Sequence, residues 1–553
     1  MSEFLNVAAH LPALAQSRPH AMAVVCPVGR DRWNRATYSH YTFRQLDRAS
    51  DYFARTLEAA GIRRGTRTVL MVPPSLEFFA LTFALFKLAA APVIVDPGMG
   101  IRNLGKCLAE AEPEAFIGIP KAQLARRILG WARKTIRTTV TVGRPGLGCS
   151  LRFDSLPPEL FADEHGWKPY PVAEVKSDEM AAILFTSGST GVAKGAVYTH
   201  GIFSAQVEAI RHAFDIKPGE IDLTTFPLFA LFGPALGMTG IVPDMDPTRP
   251  ARVDPAKIFE AVNNFGVTNL FGSPALLNRV SRAEKPGSLR SVRRVISAGA
   301  PVPAAVIERV VKLLPSGTEV FTPYGATECL PIAVIGSDEI LGETRKKTDQ
   351  GGGICVGRPV AGITVKIIRI HDEAIPAWSH ELELPVGQIG EVAVKGPWVT
   401  PAYYNRPEAT KLAKIADPGG GFYHRMGDVG YFDERGRLWF CGRKSHRVVT
   451  ATETLFTIPC EAVFNTQSAV FRTALVGVPR NGGTEPVLCV EREPGDTTPD
   501  ETLRKQLLDI GSRAPHTANI RTILFHPRFP VDVRHNSKIF REKLAIWAAK
   551  RLR

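Results

Sequence analysis

The segment ILFTSGSTGVAKGAVYTH, 183–200, carries the densest chemistry in the chain. An apolar run ends in Thr186, Ser187, Gly188, Ser189, Thr190 and Gly191, followed by Lys194 and Gly195. Glycines let a backbone turn tightly and aim its N–H groups at an anion; hydroxyls add donors, and the lysine adds a charge. That is the chemistry of a phosphate cradle. The spacing is not that of a Walker loop, which places four residues between its first glycine and the Gly-Lys pair. A plain polar turn after a strand is the blander reading. So many hydroxyls and glycines beside one lysine weigh against it.

Three further strings gain meaning from the first. In TPYGATE, 322–328, Tyr324 could stack on a purine and Glu328 could hold a magnesium ion beside phosphates. In HRMGDVGYFD, 424–433, Asp428 could accept hydrogen bonds from the vicinal hydroxyls of a ribose, and Arg443 follows shortly in CGRKS. In NSKIFREKL, 536–544, Lys538 sits in a polar turn before a helix. Taken singly, the blander readings are a solvated acid, a turn residue and a surface lysine.

The elements that must position these strings are legible in the pattern. VLMVPP (69–74), SLEFFALTFALFKLAAA and PVIVDP (92–97) read as strand, helix, strand, the unit of a parallel sheet. Residues 257–335 repeat the theme, each apolar run ending in Gly, Ser, Thr or Pro, as loops at the carboxyl edge of a sheet do. After residue 350 the texture shifts to short alternating strands, with a hairpin expected around Glu434-Arg435-Gly436. A smaller region of mixed pattern follows. The expected fold is α/β: a large N-terminal domain, 1–442, of α/β sub-units plus a small β-rich part, and a small mobile α+β C-terminal domain, 443–553, carrying Lys538.

Composition narrows the class. With 553 residues and 44% hydrophobic content, the chain is neither disordered nor a single small core. Eight cysteines without a CxxC pair exclude a disulfide scaffold and a structural zinc site. Glu3 stands where a secretory leader would be basic, so a cytoplasmic protein is expected. No formal charge occurs between Asp222 and Asp244. Prolines and glycines break that stretch, which reads as buried loop and helix rather than a membrane span. The net charge of +14 would suit nucleic acid, an anionic membrane or a polyphosphate. Its clusters (Lys121 to Arg137, Arg279 to Arg294, Arg541 to Arg553) lack interleaved aromatics for base stacking and read as solvated helix faces.

In order and spacing, the four strings resemble the acyl-adenylate-forming superfamily, which includes acyl-CoA synthetases, peptide-synthetase adenylation domains and beetle luciferases. SAGAPVP (297–303) and GEVAVKGPWVTPAYYNRPEAT (390–410) extend the resemblance to nearly the whole chain. It implies ATP and Mg2+ as cofactors and cleavage of ATP to AMP and pyrophosphate. It further implies that Thr186 to Gly195 wraps the β- and γ-phosphates. Gly299, Ala300 and Pro301 with Tyr324, Gly325 and Ala326 would frame the adenine. Thr327 and Glu328 would sit by the α-phosphate and magnesium, and Asp428, supported by Arg443, would hold the ribose. Lys538 would bridge carboxylate and α-phosphate. Thr186, Glu328 and Lys538 are then the catalytic set, Glu328 the metal ligand, and Phe229 and Phe232 of FPLFALFG the lining of an acyl pocket.

Departures from the pattern fall on the thiol side. Ser445 stands where the superfamily usually has an acidic or lysine hinge, and RVVTATETLFTIPCEAV lacks the usual lysine and glycine facing an incoming thiol. Ser537 replaces a common glycine. GRKSHRVVTATETLFT and FPVDVRHNSKIFREKLA resemble the olefin β-lactone synthetases of bacterial long-chain hydrocarbon biosynthesis. That resemblance implies a 2-alkyl-3-hydroxy fatty acid whose own hydroxyl attacks the activated carbonyl. It also implies assembly with a thiolase-like condensing enzyme, an NADPH-dependent reductase and a β-lactone decarboxylase. The alternative is a long-chain acyl-CoA ligase. His200, His424, His446 and His535 each lie beside a motif, and no spacing selects one as the base for the hydroxyl.

Overall fold

The computed structural model describes the chain outside residues 1–4, 145–150, 154–155, 158–159, 161–166, 187–192, 227–231, 284–286, 481, 532–537 and 553. Its first sheet has seven strands in the order Leu151–Phe153, Thr138–Val142, Ala115–Gly118, Arg67–Met71, Ala91–Ile94, Met180–Phe185 and Gly195–Thr199. All neighbours run parallel except the last pair. The expected strand–helix–strand unit is Arg67–Met71, Leu76–Lys87 and Ala91–Ile94. Ser75 caps that helix, accepting from Phe78 N, and the helix is buried on nearly every side. It is therefore a core helix rather than an amphipathic surface one.

The second sheet begins with parallel strands, among them Ile221–Thr224, Asn269–Phe271, Arg294–Ile296 and Glu319–Ala326. It continues through antiparallel partners Cys329–Gly336 and Ile354–Pro359 into the β-rich part, Leu438–Arg443, Phe422–Phe432, Gly390–Lys395 and Thr364–Ile368. Phe422–Phe432 and Leu438–Arg443 form the expected hairpin, pairing Asp428 with Arg443. The uncharged stretch after Asp222 contributes helix Phe232–Ala235 and strand Thr239–Ile241 in the core. Among the described residues, no helix is long and apolar enough to cross a membrane.

From Val448 onward the chain builds cores of its own. Strands Val470–Arg480, Gly483–Arg492 and Thr522–Phe525 form a separate sheet. Helices Thr457–Phe464, Asp500–Ser512 and Arg541–Arg551 cover it through Phe464, Leu503, Leu507, Leu544 and Ala548. Leu544 and Ala548 face inward as their four-residue spacing requires.

Seven described cysteines (26, 107, 329, 355, 441, 460 and 489) are free and buried; the eighth, Cys149, lies outside the described residues. Burial raises every one of these seven thiols above its ordinary range, Cys107 and Cys355 to about 11 and Cys26, Cys441 and Cys489 to about 12.

Candidate active site

A cavity of about 1210 Å³ runs along the carboxyl ends of both sheets. Its polar end is built by the loops the sequence singled out: Thr186, Lys194, Gly299, Gly325, Ala326, Thr327, Glu328, Arg443 and Lys538 all line it. Ser187, Gly188, Ser189, Thr190 and Gly191 lie outside the described residues, as does Phe229, while Phe232 lines the cavity. Ala298 takes part in the lining, whereas Ala300, Pro301, Tyr324 and Asp428 do not, the last two being chain neighbours of Gly325 and Gly427, which do.

Asp428 organises one corner. It stands near the middle of strand Phe422–Phe432, directly after Gly427, whose φ of 65° lies in the left-handed region that favours glycine. Tyr324 Oη donates to Asp428 Oδ2 at 2.7 Å, and Arg443 Nη1 lies 3.0 Å from Oδ1. The carboxylate is buried, and burial pushes its pKa up while the Arg443 guanidinium pulls it back. Arg443 Nη1 also donates to the Met426 carbonyl, at 3.1 Å. Asp428 Oδ1 is buried and, though ion-paired with that guanidinium, accepts no aligned hydrogen bond. A buried acceptor without a donor is what the hydroxyl of a bound ribose would satisfy. Tyr324 is thus fixed by its hydroxyl as well as by its ring, which tilts against Phe440 at 6.0 Å. Gly325 is required beside it, since a Cβ there would meet Cys329 O at 2.6 Å.

The strand bearing Asp428 is anchored beneath by a buried network. Arg425 Nε and Nη2 donate to Glu391 Oε2 at 3.1 and 2.6 Å, and Lys444 Nζ lies 3.3 Å from the same carboxylate. Arg425 Nη1 adds bonds to the carbonyls of Glu373 and Leu412. Every charge in this group is paired, as burial demands.

Glu328 occupies a second corner. Tyr403 Oη donates to its Oε1 at 2.7 Å, Thr400 N donates to its carbonyl at 2.9 Å, and Tyr198 Oη donates to the Thr327 carbonyl at 2.6 Å. Lys194 Nζ lies 4.8 Å from the Tyr403 ring centroid, so cradle and acid share that ring as a wall. Lys414 supports the corner from behind: Nζ donates to the Thr400 carbonyl and lies 4.7 Å from the Phe422 ring centroid. Burial lowers the Lys414 pKa to about 7, against the opposing pull of Glu328.

Sequence reasoning missed Tyr403 and Lys414. Tyr403 falls inside a quoted segment, but nothing in PAYYNRPEAT says which tyrosine turns toward the acid. Lys414 carries no sequence signal at all. Tyr403→Phe is expected to raise the magnesium concentration giving half-maximal activity about fivefold, the equivalent of one hydrogen bond of about 1 kcal/mol. A magnesium titration of wild type and variant checks this, and coincident curves would contradict it.

No histidine lines the cavity among the described residues. His200 and His424 are buried, and burial holds His424 well below its ordinary pKa and lowers His200 to about 4. His446 is lowered to about 3 by burial and the nearby Arg541 and Arg443 charges. His535 lies outside the described residues.

A family model described as AMP-binding enzyme matches residues 11–404. The chain belongs to this family. Along its whole length this AMP-binding enzyme is 51% identical to the olefin beta-lactone synthetase of Xanthomonas campestris pv. campestris, of which it covers 98%. A long-chain-fatty-acid–CoA ligase of Salmonella typhimurium is more distant, 28% identical over 82% of each chain. Among solved structures, ATP-bound MatB from Rhodopseudomonas palustris shares the fold with a TM-score of 0.79 at 22% identity, over 100% of both chains. The enzyme is an AMP-forming ligase of the olefin beta-lactone synthetase branch, and the CoA-ligase alternative is not favoured.

Proposed function

We propose that the enzyme activates a 2-alkyl-3-hydroxy fatty acid with ATP and closes it to a β-lactone, releasing pyrophosphate and then AMP. The observation that carries this reading is the full-length 51% identity to a named olefin beta-lactone synthetase. The apolar lining of the cavity away from Glu328 supports a fatty substrate.

In the first half-reaction, the substrate carboxylate must approach a triphosphate against charge repulsion. Thr186, Lys194 and Lys538, which line the cavity, would neutralise that charge, and Asp428 with Tyr324 would hold the nucleoside end. Glu328 would hold a magnesium ion together with nucleotide oxygens. A single protein carboxylate suits magnesium, which keeps much of its shell as water and phosphate, and no cluster of three metal-ligating side chains occurs among the described residues. Magnesium bound there would supply Lewis-acid charge at the phosphates.

In the second half-reaction, the 3-hydroxyl oxygen bonds to the activated carbonyl carbon as the carbon–oxygen bond to the phosphate breaks. AMP leaves with the bonding pair, and the hydroxyl proton ends on solvent. An internal nucleophile needs no second binding site, because its effective molarity is already high. That fits Ser445 in place of the usual hinge residue.

The reading divides the chain at 442/443, with Lys538 delivered by the smaller domain, and places it in the cytoplasm. It also places the enzyme among partners whose chemistry supplies a 3-hydroxy acid and consumes a β-lactone: a thiolase-like condensing enzyme, an NADPH-dependent reductase and a lactone decarboxylase.

The test is product analysis by NMR after incubation with ATP, magnesium and a racemic 2-alkyl-3-hydroxy acid. A four-membered ring ester and one AMP per turnover are expected without coenzyme A. A thioester formed only when coenzyme A is added would overturn the reading.

A further inference from the structure

The apolar part of the cavity does not stay on one face of the seven-stranded sheet. Side chains along a strand alternate between faces, and the lining takes both sets. On strand Arg67–Met71, Leu70 belongs to the core that also holds Phe79 and Phe83 of helix Leu76–Lys87, whereas Met71 packs with Leu104, Ala122 and Trp131 on the opposite face. On strand Met180–Phe185, Ala182 and Leu184 join the first group and Phe185 the second. All of these residues line the one cavity.

It therefore forks at the carboxyl edge of the sheet, where Thr186, Lys194 and Glu328 stand. One arm runs under Phe79, Phe83 and Phe203. The other runs between helices Ile101–Ala111 and Pro120–Leu129, past Leu104, Ile119, Ala122, Ala125 and Trp131. Ala122 and Ala125 are three apart on the same helix and so share its inner face; their small side chains leave the second arm open. Ile101 lines that arm and is 61% exposed, so the arm reaches the surface there.

An unbranched acyl chain needs one such arm. Two arms that diverge from the point of activation match a carboxylic acid with two alkyl chains diverging beside the carboxylate. We infer that the second arm, between helices Ile101–Ala111 and Pro120–Leu129, is the binding site for the 2-alkyl branch of the substrate. The inference rests on the reading that the substrate is a 2-alkyl-3-hydroxy acid and assigns that branch a location.

Adenylation, followed as pyrophosphate release, tests it independently of ring closure. In the wild-type enzyme, kcat/KM is expected to rise roughly two- to fourfold per methylene as the 2-alkyl chain lengthens, the gain of apolar burial, until the arm is filled. Ala125→Trp narrows the arm. It is expected to lower the ratio of kcat/KM for a 2-decyl acid to that for the unbranched acid at least tenfold. The same dependence should appear with 2-alkyl acids lacking the 3-hydroxyl, so that absence of lactone would count against the proposed reaction and not against the arm. Leu104→Ala widens the arm and is expected to shift the best branch length upward, which keeps the test open should the tryptophan variant fold poorly. An unchanged ratio in Ala125→Trp, an unchanged optimum in Leu104→Ala, or coenzyme A competing with the branched acid but not the unbranched one would overturn the assignment.

Discussion

Lys538→Ala is expected to slow adenylate formation about a thousandfold while leaving the affinity for ATP within about twofold. Removing one preorganised charge from a site where charge develops costs on the order of 10²–10³ in rate. Lys538 lines the cavity with Glu328 and Arg443, and its charge reaches Asp428. It also stands three residues before the start of helix Arg541–Arg551, in the part of the chain that builds its own cores. On the proposed mechanism its contribution belongs to the meeting of carboxylate and α-phosphate, not to nucleotide capture by the larger sheets. Carboxylate-dependent pyrophosphate exchange measures the first quantity and calorimetric ATP titration the second. An equal loss in both would mean that Lys538 is a nucleotide-binding residue.

Asp428→Ala is expected to act the other way round, weakening ATP binding by roughly 30- to 1000-fold. The loss corresponds to about 2–4 kcal/mol, the range of a strong hydrogen bond or two weaker ones to a charged group. The variant also leaves the Tyr324 hydroxyl without its acceptor and removes the ion-pair partner of Arg443. With Arg443 a third exposed, breaking this pair costs less than the roughly 3–5 kcal/mol of a fully buried one, about 1–3 kcal/mol. Chemical denaturation of the variant should show a loss on that scale. Asp428→Asn retains an acceptor for Tyr324 and should lose less on both counts. An ATP affinity within threefold of wild type in the alanine variant would remove Asp428 from the nucleotide site.

The parts of the fold legible in the sequence are those where local pattern and tertiary context agree. VLMVPP, the Phe-rich helix after it and PVIVDP are each a period or a run ended by prolines, and they form the elements so marked. The hairpin around Gly436 was equally legible, because its turn residues interrupt alternating strands. In the site, the string holding Thr186 and Lys194 already suggests phosphate by its residue types, whereas Glu328, Asp428, Arg443 and Lys538 took their expected roles from the resemblance of the four strings together. Tyr403 and Lys414 were not legible for the opposite reason. Each acts through a partner more than seventy residues away in sequence, Glu328 for Tyr403 and, through Thr400, for Lys414. The fork in the cavity was hidden for a related reason. Alternation along Arg67–Met71 says that both faces are apolar, but only the packed helices reveal that both remain open to one space.

The cysteines acquire a meaning once the product is considered. A β-lactone is a strained acyl donor, and the nucleophile it would modify most readily is a thiolate. On the proposed reaction, the enzyme exposes its own surface to an acylating agent at every turnover. The seven described cysteines are all buried, with their thiols held in the protonated form. On the proposed reaction, burial thus shields these seven described thiols from what the enzyme makes.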